Sequence, residues 1–202
     1  MATTPAARRR SPRARARPTT RRRSTSSCRG TPRVPDATGL ELLAQDLREA
    51  DAESVLDTLH FRDRGTLIVH PPAIRATLLR LRAKGYRALM SVHGVDYYPE
   101  EPRLGVHYEL LDMSALDRLT VKLRVHTDAP VVESVTPDWP TADHQEREVY
   151  DMFGVVFEGH HDLRRILMPE DYEGHPQRRD FPVGGEPILF TFNEAQGTAY
   201  TQ

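Results

Sequence analysis

Residues 144–175 hold a dense group of side chains able to do chemistry. His144, Glu146, Glu148, His160, His161 and His175 offer imidazoles and carboxylates, the donors that surround zinc or another divalent ion. Their spacings match no ligand pair borne on one helix, and the favoured reading is of histidines that hydrogen-bond locally or at an interface. Glu146 and Glu148 also suggest an acid/base pair. Two residues apart on a helix they diverge by about 200°, so they do not face one substrate. Glu146 is instead expected to point inward beside Tyr150 and to pair with an arginine.

Arginine supplies the second kind of chemistry. Leu163-Arg164-Arg165 and Gln177-Arg178-Arg179-Asp180 set guanidinium pairs beside apolar or aromatic residues, suited to bidentate contacts with carboxylates on a partner or, more plainly, to a solvated charge run. His93 and Asp96 in SVHGVDYY read as a satisfied polar pair in the core or a turn. Trp139 in PDWP reads as a packing anchor. The phosphate-loop, dinucleotide-loop, nucleophile-elbow and HExxH motifs are all missing from the sequence.

The elements that must position these groups follow from apolar periodicity. Leu40, Leu43 and Leu47 recur at helical spacing in GLELLAQDLREA. VLDTLHFRDRGTLIVH alternates around a DRG turn and reads as two strands, stopped by Pro71 and Pro72. A helix follows, with Ile74, Leu78 and Leu81 on one stripe and Gly85 as its stop. YRALMSVHGVDYY, RLGVHYELLDM and RLTVKLRVHT are three strand-like runs. TADHQEREVYDMFG predicts about three helical turns closed by Gly154, with Glu146, Val149, Tyr150 and Phe153 on one face and Arg147, Glu148 and Asp151 on the flank. The expected fold class is α+β: a mainly antiparallel sheet of about five strands with flanking helices, followed by an extended C-terminal docking tail. The domain boundaries read as an Arg/Pro/Ser-rich disordered arm over 1–38, the α+β domain over 39–157, and the tail over 158–202, whose Phe181, Ile188, Leu189, Phe190 and Phe192 suit a surface-lying segment.

Charge divides the chain. The formal net charge is -1, from 28 basic and 29 acidic side chains. Residues 1–33 carry eleven arginines and no acid, so the rest holds 28 - 11 = 17 basic against 29 acidic groups, a balance of -12. Positive charge confined to an arm is unlike a globular nucleic-acid binder, and no specific nucleic acid is expected. The arm's composition also resembles a transit peptide. The single cysteine, Cys28, cannot build a CxxC zinc site or a cysteine-ligated iron-sulfur cluster. No run approaches the roughly 18–20 apolar residues of a membrane span.

Three ordered blocks resemble the C subunit of respiratory NADH-quinone oxidoreductase, a peripheral-arm component of complex I: EREVYDMFG (146–154), FEGHHDLRRIL (157–167) and DYEGHPQRRDFP (171–182), supported by SVHGVD and HYELLD on the strands. His161 stands where the family's GHPDLRR run has proline. The resemblance implies a scaffold of proton-pumping NADH:quinone oxidoreductase, with no catalytic, cofactor or metal residue of its own. Iron-sulfur clusters, FMN and quinone would sit on partner subunits. The implied partners are the quinone-site and iron-sulfur subunits, in a hetero-oligomer that touches the membrane only through the complex. The implied location is peripheral, on the cytoplasmic side of the bacterial plasma membrane or, alternatively, the mitochondrial matrix side. Partner docking would fall to Glu146, Arg147, Glu148, Tyr150, Asp151, Phe153, Gly154, His160, Arg164, Arg165, His175, Arg178, Arg179 and Asp180. An equivalent scaffold of a membrane-bound hydrogenase or other complex I-like dehydrogenase is the near alternative; a stand-alone metal-dependent hydrolase or a polyanion-binding protein acting through the arm is a remoter one.

Overall fold

The computed structural model describes residues 36–182. The expectations for the arm before residue 36, and for Ile188, Leu189, Phe190 and Phe192, lie outside these residues. Helix α1 (Ala37–Ala50) buries Leu40, Ala44 and Leu47, the stripe its spacing predicts, and starts two residues inside the expected arm. Strands β1 (Val55–Phe61) and β2 (Arg64–Val69) form an antiparallel hairpin, followed by a 3-10 turn at Pro71–Ala73 and helix α2 (Ile74–Ala83). The three strand-like runs become β3 (Ala88–Asp96), β4 (Leu104–Asp112) and β5 (Asp117–Val125).

These five strands make one sheet in the order β1-β2-β5-β4-β3, antiparallel except where β2 runs parallel to β5. Two three-residue strands, β6 (Val131–Glu133) and β7 (Val156–Glu158), form a separate parallel pair that the apolar pattern does not announce. Between them lies helix α3 (Asp143–Phe153). The fold class is therefore α+β with a mainly antiparallel sheet, as its residues predict.

Side-chain alternation sorts the sheet into two faces. Leu67, Val69, Val92, Leu104, Val106, Tyr108, Leu110, Leu119, Val121 and Leu123 face the helices and are buried. Leu40 of α1 packs over Gly65 and Phe153 of α3 over Gly94; a methyl group at Gly94 would run into the Phe153 ring, and one at Gly65 would press on the end of the Leu40 side chain. Ile74, Leu78 and Leu81 of α2 join the same core. The opposite face carries His93, His107, Glu109, Arg118, Thr120 and Lys122, and among the described residues no helix packs on it. Antiparallel sheets commonly keep one face toward water.

Candidate functional site: the end of helix α3 and the strap it holds

Helix α3 ends in an unusual way. Gly154 adopts the left-handed conformation (φ 76°) and its N–H closes on the Tyr150 carbonyl at 2.8 Å. The next three carbonyls, normally orphaned at a helix end, are taken by residues 175–178. His175 Nδ1 meets the Asp151 carbonyl at 3.0 Å, the Gln177 N–H donates to Met152 at 3.2 Å, and Arg178 Nε donates to Phe153 at 2.7 Å. A carbonyl only accepts, so His175 carries its proton on Nδ1. Burial, reinforced by the charges of Arg178 and Arg165, depresses its pKa. A side chain at 154 would collide with His175 and Arg178, so glycine is required for space as well as for backbone.

Asp151 anchors the strap that leads there. Its side chain is fully buried, although a helical wheel puts it on the flank. One carboxylate oxygen accepts the consecutive N–H groups of Ile166, Leu167 and Met168 at 3.0, 2.8 and 2.9 Å, and the other accepts Arg165 Nη1 at 2.6 Å. Burial pushes the Asp151 pKa up, but these N–H groups and the Arg165 guanidinium outweigh it and hold the group below the usual carboxylate range. Arg165 also donates to the Gly174 carbonyl at 2.9 Å, closing the strap on itself. Arg147, on the flank as expected, donates to the Arg164 and Arg165 carbonyls at 3.1 and 3.2 Å.

A second clasp joins the strap to the β3–β4 hairpin. Arg103 grips buried Asp96 through two bonds of 2.8 and 2.7 Å, and Asp180 through two more of 2.8 and 2.6 Å. Asp96 also accepts the Arg179 N–H at 2.7 Å, and Arg179 Nη1 donates to the Tyr98 carbonyl at 3.2 Å. The Arg103 guanidinium holds Asp96 far below the usual carboxylate range. Arg103 was not singled out by sequence reasoning. Its signal was present: β3 ends on an acid, and the register Asp96↔Leu104 places the arginine one residue beyond, across the hairpin. Asp96 is thus satisfied by Arg103, whereas His93 meets the His107 ring edge-on at 5.1 Å.

Glu146 points inward as expected, but its partner is not an arginine. Ser134 Oγ, Thr136 Oγ1 and the Val135 N–H donate to its carboxylate at 2.6, 3.0 and 2.9 Å. Neutral donors suffice because the segment 134–136 turns its own polar groups toward the helix, a convergence that helical periodicity cannot report. Burial raises the Glu146 pKa against the opposing pull of those bonds. Phe153 is buried in the domain's own core, and Tyr150 is half-buried with its ring 6.5 Å from that of His175. Arg164 pairs with Asp162 at 2.6 Å, and Glu148 is exposed. Trp139 is buried and donates to the Arg87 carbonyl at 2.9 Å, the anchor its setting suggests.

Of the possible metal donors, His160 and His161 come together, joined by Asp143; their ligand atoms lie within 4.8 Å of one another. His144, Glu146, Glu148 and His175 stand outside that group. The Asp162 N–H donates to His160 Nδ1 at 3.1 Å, which places the His160 proton on Nε2, where it faces the Asp143 carbonyl at 3.3 Å. Ligating a cation through Nε2 would require that proton to leave and the Nδ1 bond to be given up. The ring is better suited to stapling the start of the strap to the start of α3.

Sheet, helices and clasped strap define a two-layer α+β domain of a kind present in respiratory membrane complexes. The same fold occurs in the membrane-bound sulfane sulfur reductase, an archaeal respiratory membrane complex (TM-score 0.60, 22% identity, 80% of this chain and 93% of that one). The chain belongs to the family described as "Respiratory-chain NADH dehydrogenase, 30 Kd subunit", whose pattern matches residues 67–187. The C subunit of NADH-quinone oxidoreductase from Roseiflexus sp. (strain RS-1) is 42% identical over 151 residues, 73% of this chain and 87% of that protein. The Saccharopolyspora erythraea protein of the same name is 45% identical over 158 residues, 76% of this chain and 63% of its relative's length. A solved trypsin-resistant fragment of Nqo5 superposes with a TM-score of 0.52 at 28% identity, covering 61% of this chain and 99% of the fragment. Membership places the chain among the subunits of complex I and respiratory electron transport. No helix of the described residues is long and apolar enough to cross a membrane.

Proposed function

We propose that this chain is a structural, non-redox subunit of a proton-pumping NADH:quinone oxidoreductase that holds the quinone-site and iron-sulfur subunits together on the cytoplasmic side of the membrane. The observation that carries this reading is the strap. Residues 159–182 build no helix or strand, yet Asp151, His175, Arg178, Arg103 and Asp180 bond it to the domain at both ends of its path. An irregular segment held this rigidly is a preorganised surface, which lowers the ordering cost of binding a partner. The side chains named for docking would then act mainly by shaping the strap, leaving Ile166, Leu167, Arg164 and Glu148 outward for contact. Flavin, iron-sulfur clusters and quinone would belong to partner chains, consistent with a sequence whose single cysteine is Cys28. Affinity purification of the tagged protein from gently solubilised membranes, with an NADH:quinone assay on the eluate, tests this. Co-recovery of iron-sulfur and quinone-site subunits with inhibitor-sensitive activity is expected; a clean monomer from the soluble fraction would overturn the reading.

A further inference from the structure

One end of the sheet carries features that return nothing to the chain's own stability. Because β2 and β5 are parallel neighbours, with Gly65 beside Leu119, the β1–β2 turn and the β4–β5 turn open at the same end. Three strand spacings of about 4.8 Å put these turns within roughly 15 Å of each other. Phe61, Met113 and Leu116 there are 69%, 64% and 78% exposed. Leu116 also stands at φ 53°, in the left-handed region that disfavours a side chain with a branched bulk. Arg62 and Asp63 fill a two-residue turn at φ 51° and 58°, where asparagine and glycine are the favoured residues. An exposed leucine on left-handed backbone is unfavourable twice, and at this exposure it buries almost nothing in compensation.

The charges around it are open as well. Arg62, Arg64 and Arg118 have no part in the ion pairs of the described residues, nor do they bond backbone carbonyls as the likewise unpaired Arg82, Arg147, Arg178 and Arg179 do. Arg62 lies only over the Phe61 ring, 5.0 Å from its centroid. None of the neighbouring acids forms an ion pair with them among the described residues. Asp112 accepts the Ser114 N–H at 2.7 Å and Asp117 accepts the Tyr86 hydroxyl at 2.7 Å, leaving exposed Asp63 as the local acid without such a bond.

We propose that this end of the sheet, centred on Phe61 and Leu116, is a second docking surface for another protein subunit of the same complex, one that offers an apolar pocket rimmed by aspartate or glutamate. The inference rests on the reading of the chain as an assembly subunit. Guanidinium groups around apolar anchors match that chemistry, with bidentate arginine–carboxylate pairs at the rim and desolvated side chains at the centre. The left-handed leucine makes stability and binding oppose each other, and this is directly measurable.

Two experiments on the full chain test it. In Leu116→Asn the residue tolerates left-handed backbone, so the Tm of the isolated protein is expected to rise by ~2–4 °C, while retention of the subunit in the solubilised complex falls at least about ten-fold. A photo-crosslinking amino acid with an apolar, leucine-like side chain, placed at position 116 so that the anchor is kept in the intact complex, is expected to capture an acidic, apolar-containing peptide of a different subunit. A Tm that falls, or assembly that is unchanged, overturns the proposal. So does an intact complex with no cross-link from position 116, or with one to lipid or to a second copy of this chain; those outcomes leave the scaffold reading standing. A wild-type chain that enters no complex removes both.

Discussion

Replacing Asp151 with asparagine tests the strap's main anchor with almost no change of volume. The carboxylate now accepts three N–H groups on one oxygen and the Arg165 guanidinium on the other. An amide keeps one accepting oxygen and turns an NH2 group toward donors, so either the guanidinium or the N–H triplet loses its acceptor. Removing one member of a buried charged pair costs about 3–5 kcal/mol, and the lower end applies because Arg165 retains some solvent (13% side-chain exposure against 0% for Asp151). About 3 kcal/mol corresponds to a factor of about 10² in local opening and, if opening is global, to a Tm lower by about 6–12 °C. Amide hydrogen exchange at residues 166–168 reads the local part and circular dichroism melting the global part. The acid dependence is fixed by direction: a carboxylate held below its ordinary value contributes fully above about pH 4 and loses that contribution as pH falls through the folded value. The gap between wild type and Asp151→Asn should therefore be flat from about pH 5 to 8 and close on stronger acidification. Unchanged protection at 166–168 would refute the anchoring argument.

Three further outcomes are expected. Arg103→Leu leaves Asp96 buried without its guanidinium and frees Asp180, a loss of about 3–5 kcal/mol in urea unfolding; a loss under about 1 kcal/mol would deny the clasp. Gly154→Ala combines left-handed strain of about 1–2 kcal/mol with displacement of His175 and Arg178, so the strap should become cleavable by limited proteolysis in the variant only. His107 is depressed to about 4 by burial, with Lys122 and His93 adding to it. The unfolded chain therefore binds the extra proton first, and stability should decline between about pH 6.5 and 4 by up to about 3 kcal/mol, a slope that His107→Gln removes in pH-dependent denaturation.

The sheet was legible because its strands alternate in apolar character and its helices keep one apolar stripe, and both signals survive without tertiary knowledge. Gly154 was legible as a stop because a helix followed by glycine has few other meanings. Asp151 was misplaced on the flank because a helical wheel assigns polar residues to water, while its partners are backbone N–H groups fifteen to seventeen residues away that no periodicity encodes. Arg165 and Asp180 were readable as residues seeking charged partners; whether the partner lies within the chain or outside it depends on the path of an irregular segment. The paired strands β6 and β7 are three residues each, too short to show alternation.

The bond from Arg103 to Asp180 spans 77 residues and that from Asp96 to the Arg179 N–H spans 83. Until the strap has left the ribosome, Asp151 is a charge whose partners do not yet exist, Asp96 has Arg103 but not the Arg179 N–H, and the end of α3 keeps three unfilled carbonyls. The fold therefore matures late in synthesis, and a chain arrested at about residue 160 presents helix α3 with Asp151 lacking its partners at 165–168. That state can be told apart from the finished subunit by its instability, which gives a cell a physical basis for discarding incomplete copies before assembly.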